Sequence, residues 1–172
     1  MKQIDITKIE KLSFDWTDET KYRVGSHQNC PVTMTRKNNG PFRFLDGTQI
    51  AHHVYASAFN YNGNVSRTQF THMVSKNMLT SEYKAAIICA WDNSLKYTGR
   101  PGSNKLFLCM LGCGVFGNDP KEVSQYIASL KDLIIDSGLD VYVVAYTNQV
   151  FKRIESELLP IVKETKGTIT EI

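Results

Sequence analysis

Three glycines, Gly112, Gly114 and Gly117, follow an apolar run and precede the helix-start signal Asn118-Asp119-Pro120. Glycine has no Cβ, so a ligand can approach its main chain closely. The free N–H groups of a first helical turn and the positive end of the helix dipole would point to the same place. Together these features suit a backbone cradle for a phosphate or diphosphate. The same spacing also suits a tight strand–turn–helix connection, and the residues alone leave both readings open.

A second chemistry would need a carboxylic acid. The loose carboxylates are Asp15, Asp18, Glu19, Asp46, Asp92 and Asp119. A general acid must reach the reacting centre with a raised pKa. Asp119 is nearest the glycine loop in sequence, but a helix cap holds its charged form. Asp46, on the turn Phe44-Leu45-Asp46-Gly47, has no such structural duty and is the better candidate. No residue is assigned a catalytic role. His52 and His53 are adjacent, so on a strand they point to opposite faces, one inward and hydrogen-bonded and the other toward solvent. That arrangement argues against a metal pair.

The four cysteines, Cys30, Cys89, Cys109 and Cys113, form no CxxC pair. Cys109 and Cys113 straddle a strand end, a poor geometry for zinc. Buried free thiols in a reducing compartment are expected, with no metal and no disulfide.

The elements that must position the loop come from the second half of the chain. Thr80 or Ser81 is a plausible N-cap. Tyr83, Ala86, Ile87, Ala90 and Trp91 then share one helical face, which Ile88 and Cys89 widen, predicting a helix to about residue 97 buried on two sides. Leu106–Leu111 is an unbroken apolar run, as in a strand covered on both faces. Asp119 caps the next helix, Pro120 takes its first position and Glu122 completes a capping-box spacing. Its stripe is Val123, Tyr126, Ile127, Leu130 and Ile134, and Gly138 ends it. A strand over 141–146 follows, then a helix from about Gln149 to Glu164 that Pro160 should kink or interrupt. Strands joined by crossover helices predict neighbouring parallel strands and a layered α/β fold.

Residues 1–48 read poorly. The stretch 4–14 alternates weakly, Cys30–Arg36 could form a strand, and Ala51–Phe59 is a clearer one, bounded by the turn cluster 60–64.

At 172 residues, 42% hydrophobic and 22% charged, the chain suits one globular domain, 1–172. Its net charge of +3 is slight and its basic residues are scattered, which gives no support to a nucleic-acid partner. Apolar runs reach about seven residues, far short of a membrane span. The first residues have no apolar core of the kind a secretory signal carries.

The stretch Gly112-Cys113-Gly114-Val115-Phe116-Gly117-Asn118-Asp119-Pro120 resembles the second phosphate-binding loop of macro domains, in particular the poly(ADP-ribose) glycohydrolase-like branch. The likeness extends over about Ala51–Asn148. Ala56–Asn60 is similar to the preceding strand of that family, and 141–148 to its last strand. The resemblance implies a macro-domain-like three-layer α/β/α sandwich with a mixed, largely parallel central sheet, incomplete toward the N-terminal side.

It also implies a ligand, ADP-ribose or an ADP-ribosylated protein, and no further cofactor. Amides of Gly114 to Gly117 would hold the diphosphate, within a loop running from Gly112 to Asn118. Phe116 would pack on the distal ribose, Phe59 and Asn60 would border the ligand, and Tyr146 and Asn148 would lie near the adenine. Each aromatic also has a plain reading as core or loop packing.

Hydrolytic members carry a Gly-Gly-Gly run and then Gln-Glu-Glu. This chain has no Gly-Gly and no Gln-Glu pair. The resemblance therefore implies binding first. An ADP-ribosyl glycohydrolase with a nonstandard carboxylate is the alternative, and a degenerate macro fold serving protein interaction is a third reading. The compartment expected is the cytoplasm or another reducing interior; a secreted effector is also compatible.

Overall fold

The computed structural model describes residues 15–37, 40–63 and 65–169. The weakly alternating stretch 4–14 lies outside them. The chain divides into two compact units, one of Val24–Ala56 and one of 1–23 with 57–172.

The smaller unit is built from two antiparallel pairs. Strand β1 (Gly25–Pro31) pairs with β4 (Ile50–Tyr55), and β2 (Met34–Arg36) pairs with β3 (Phe42–Phe44). The single strand expected over Cys30–Arg36 is therefore two, parted at Val32 and Thr33. Pro31, with no N–H for a ladder, sits at that break. The ladder of β1 and β4 is irregular between His27 and Cys30, where Asn29 has φ 56°. As expected for alternation, His53 is exposed, while His52 is half-buried and accepts a hydrogen bond from the Asn29 N–H at 3.4 Å. The strand expected to reach Phe59 ends at Tyr55. Residues 56–60 run on as loop.

The larger unit has an α/β build. Helix α1 (Gln69–Lys96) leads to β5 (Lys105–Cys109), then α2 (Pro120–Ala128), α3 (Lys131–Ser137), β6 (Asp140–Val144) and α4 (Asn148–Glu164). β5 and β6 pair in parallel, with Leu106 opposite Val141 and Leu108 opposite Val143. The neighbouring parallel strands expected from the crossover pattern are thus present. Among the described residues the six strands pair only two by two.

Several boundaries differ from expectation. α1 starts at Gln69, well before Thr80. Thr68 caps it, and Thr68 and Thr71 exchange hydrogen bonds in a capping box. Its buried face is partly polar: Ser75, Ser81 and Glu82 are buried with Leu79, Tyr83 and Ile87, whereas Ile88 is exposed. The helix expected over 119–138 is two. Ser129 Oγ donates to the Tyr126 carbonyl at 2.6 Å, a local bond that competes with helix continuation. Asp119 caps the Lys121 N–H at 2.8 Å, but Glu122 does not close a capping box and lies 3.8 Å from His72. Gly138 does end α3, in the left-handed conformation. Pro160 lies inside α4, which continues unbroken to Glu164.

The core gathers between α1, the β5–β6 pair and the later helices. Leu79, Ile87, Val123 and Ile127 are essentially inaccessible, each stabilising the fold by roughly 1.5–3 kcal/mol. β5 is not covered on both faces. Leu106 and Leu108 are buried, while Phe107 is 64% exposed and stacks on Tyr142 across the strands at 4.8 Å. The apolar run is unbroken because Phe107 serves that cross-strand pair. The thiols are all free, but Cys109 is exposed and the other three only half-buried, so the expectation of buried thiols fails.

Candidate functional site

The glycine loop is held from beneath by α1. The Tyr83 hydroxyl donates to the Cys109 carbonyl at 2.8 Å and accepts from the Leu111 N–H at 3.0 Å. It thereby fixes the end of β5, where the loop begins. Burial pushes the Tyr83 phenol far above its ordinary value, so it stays protonated as a donor.

Asn118 closes the loop. Its side chain is buried, accepts from Ser75 Oγ at 3.2 Å, and donates to the carbonyls of Phe59 (2.8 Å) and Gly112 (3.3 Å). Its own N–H donates to the Gly112 carbonyl at 3.0 Å. Both the side chain and the N–H of Asn118 are thus committed to bracing.

The three glycines serve different ends. Gly112 has φ 70°, and a Cβ there would stand 2.3 Å from Asn118 Nδ2 and 2.5 Å from Ala58 Cβ. Gly117 has φ 71°, and a Cβ would stand 2.6 Å from Asn62 Oδ1. These two are required by backbone shape. Gly114 has no left-handed backbone, and its nearest neighbour would be the Tyr146 hydroxyl at 3.4 Å. It is exposed, as is Val115 at 84%.

Most of the loop carbonyls are taken up. Tyr61 N–H donates to Phe116 O at 2.9 Å, Asn62 Nδ2 to Val115 O at 2.7 Å, and Arg67 to Gly117 O. The loop amides are not. The N–H groups of Gly114, Val115 and Phe116 meet no acceptor among the described residues. The loop therefore offers a run of donors without partners among the described residues, the kind of arrangement that anions favour.

Beside it lies a cavity of about 430 Å³, lined by Arg67, Cys113, Gly117, Asp119, Gln149 and Arg153 among others. It sits where the N-termini of α2 and α4 meet the loop. Thr147 caps α4 by accepting from the Val150 N–H at 3.2 Å. Arg67 lies over the Tyr61 ring at 4.4 Å. Arg153 donates to both oxygens of Asp119. Burial raises the Cys113 thiol to about 11, so it stays protonated near neutrality and is a poor nucleophile.

The other expected residues are placed as follows. Phe59 is half-buried against Tyr61, their rings 5.1 Å apart. Asn60 is exposed, and its Oδ1 accepts from the Asn62 N–H at 3.1 Å, closing a local turn. Tyr146 is 61% exposed beside Gly114. Asn148 opens α4, exposed, next to the cavity residues Gln149 and Val150.

Sequence reading missed Arg67, Ser75, Glu82 and Arg153, and read Tyr83 only as part of an apolar helical face. Only Arg67, just before a Thr-capped helix, left a signal that could have been followed. Neither weighed carboxylate is poised as an acid. Asp119 is engaged by Arg153 and Lys121 N–H. Asp46, in the smaller unit, accepts from the Thr48 hydroxyl and amide, which hold its carboxyl below the usual range. Among the described residues no cluster of three or more metal-ligating side chains occurs, and no helix is long and apolar enough to cross a membrane.

No family model matches the chain, and searches of curated proteins and of solved structures return no match.

Proposed function

We propose that this chain binds ADP-ribose, free or attached to a modified protein, in the Gly112–Asn118 loop. The observation that carries the reading is the set of three consecutive amides, Gly114 to Phe116, that meet no acceptor among the described residues at a strand-to-helix junction. A diphosphate would accept from them. Phe116, exposed at the rim, is the group to cover the distal ribose, and Tyr146 and the start of α4 the groups to flank the adenosine. The macro-domain-like three-layer sandwich belongs to the same proposal, supported by the parallel β5–β6 pair and the helix that precedes it.

Binding is favoured over hydrolysis because the carboxylates near the loop are engaged by other partners. Calorimetric titration with ADP-ribose, ADP and pyrophosphate tests it. The reading expects ADP-ribose to bind best and pyrophosphate feebly. No heat with ADP-ribose, from a folded sample, overturns it.

A further inference from the structure

Glu82 is a buried carboxyl in the middle of α1, 5% exposed. Among the described residues its one hydrogen bond comes from the backbone N–H of Ser57, at 3.1 Å from Oε2. Ser57 begins a short segment that frames the glycine loop. Ala58 lies where a Cβ on Gly112 would meet it. The Phe59 carbonyl accepts from Asn118, and the Tyr61 N–H donates to the Phe116 carbonyl. The Tyr61 hydroxyl in turn donates to the Thr71 carbonyl of α1 at 3.2 Å.

We propose that Glu82 is a pH-sensitive latch on the segment Ser57–Tyr61, and through that segment on the shape of the loop. Protonated, the carboxyl sits in its buried site at little solvation cost. Ionised, it must be rehydrated or compensated. Among the described residues, two phenols sense its charge, Tyr22 after the turn Glu19–Lys21 and Tyr83 beside it on α1. Neither carries a positive charge. Two nearby cations are paired with other carboxylates, Lys84 with Glu19 and Lys21 with Asp18. The Ser57 N–H makes the one hydrogen bond among the described residues that offsets the charge. Burial accordingly raises the Glu82 carboxyl to about 7. Above that pH the segment opens to admit water, and the loop loses its frame.

The test needs no ligand, so it stands apart from the ADP-ribose reading. Amide hydrogen exchange at Tyr61 and Asn118, corrected for its intrinsic pH dependence, is compared at about pH 5.5 and 8.5. In the parent chain, protection should fall by about tenfold or more at the higher pH, one pKa unit of coupling being a factor of ten. In Glu82→Gln, which keeps an acceptor for Ser57 but cannot ionise, protection should be flat. Equal pH dependence in both, or none in the parent, overturns the latch. Carbon NMR titration of the Glu82 carboxyl in the parent is the second measurement, should the variant not fold. A midpoint near 7 that coincides with the Tyr61 amide shift supports the proposal. A midpoint in the ordinary carboxylate range overturns it.

Discussion

Arg153 on α4 reaches across to Asp119, the cap of α2, donating from one terminal nitrogen to both carboxylate oxygens at 2.9 and 2.8 Å. Asp119 would otherwise leave a bare negative charge at the edge of a site proposed for a diphosphate. Arg153→Gln should therefore weaken ADP-ribose binding by about tenfold, and more at low salt. Both partners are substantially exposed, so the stability change should stay within ~1 kcal/mol. Calorimetry at two salt concentrations beside urea unfolding checks this. A variant that binds as the parent does would remove Arg153 from the electrostatics of the site.

Gly112 and Gly114 should separate stability from binding. Gly112→Ala meets a left-handed φ and two contacts under 3.0 Å, and should cost more than the ~1–2 kcal/mol of the backbone alone. Gly114→Asp should leave the urea midpoint near that of the parent and strongly reduce ADP-ribose affinity, through bulk and like charge. If Gly114→Asp binds normally, the diphosphate lies elsewhere.

Tyr83→Phe removes one hydroxyl and strands two backbone groups at the end of β5. Leaving them unpaired costs about 1–3 kcal/mol each at most. We expect a lower urea midpoint with an unchanged slope, and faster amide exchange at Leu111.

The pH dependence of stability follows from Glu82. Its carboxyl titrates near 7 when folded, against an ordinary 4.5. The folded chain therefore holds a proton that the unfolded chain releases between those values. This contribution is complete below about 4.5 and disappears as the pH rises through 7, with an upper bound of about 3 kcal/mol. Asp15, Asp18 and Asp46 act oppositely, but only in more acidic solution. The urea midpoint should thus be higher at about pH 5 than at pH 8, and nearly level in Glu82→Gln. A parent midpoint that rises over this range contradicts the assignment.

Phe116→Ala should lower ADP-ribose affinity about tenfold, an aromatic contact contributing ~0.5–1.5 kcal/mol beyond burial. Pyrophosphate, which would touch only amides, should be unaffected. Equal losses for both would mean that the ring supports the loop and not the ligand.

What could be read from residue order was local. Asp119-Pro120 marked a helix start and Gly138 a helix end, because caps depend on a few adjacent groups. The parallel strands followed from two apolar runs separated by helix. The first third of α1 was hidden because its cap, Thr68, pairs with another threonine and its buried face includes Thr71 and Ser75. Thr71 is inside with its hydroxyl on the Ser66 carbonyl and Ser75 with its hydroxyl on Asn118, 43 residues away, and polar pairings of this kind leave no apolar periodicity. Glu82 was unreadable for the same reason: its partner is a backbone N–H 25 residues away in sequence. The glycines could be seen, but which of them serve shape depended on where Ala58, Asn62 and Asn118 fell.

The smaller unit is entered and left at neighbouring points, since Gly25 and Tyr55 are paired residues of β1 and β4. Paired Cα atoms across such strands stand only about 4.5–5.5 Å apart. In topological terms Val24–Ala56 is a cassette with a closed base, inserted between Arg23 and Ser57. A few-residue bridge between those two residues could replace it without threading one strand past another. Such a replacement would leave Ser57, and with it the frame of the glycine loop, in the larger unit.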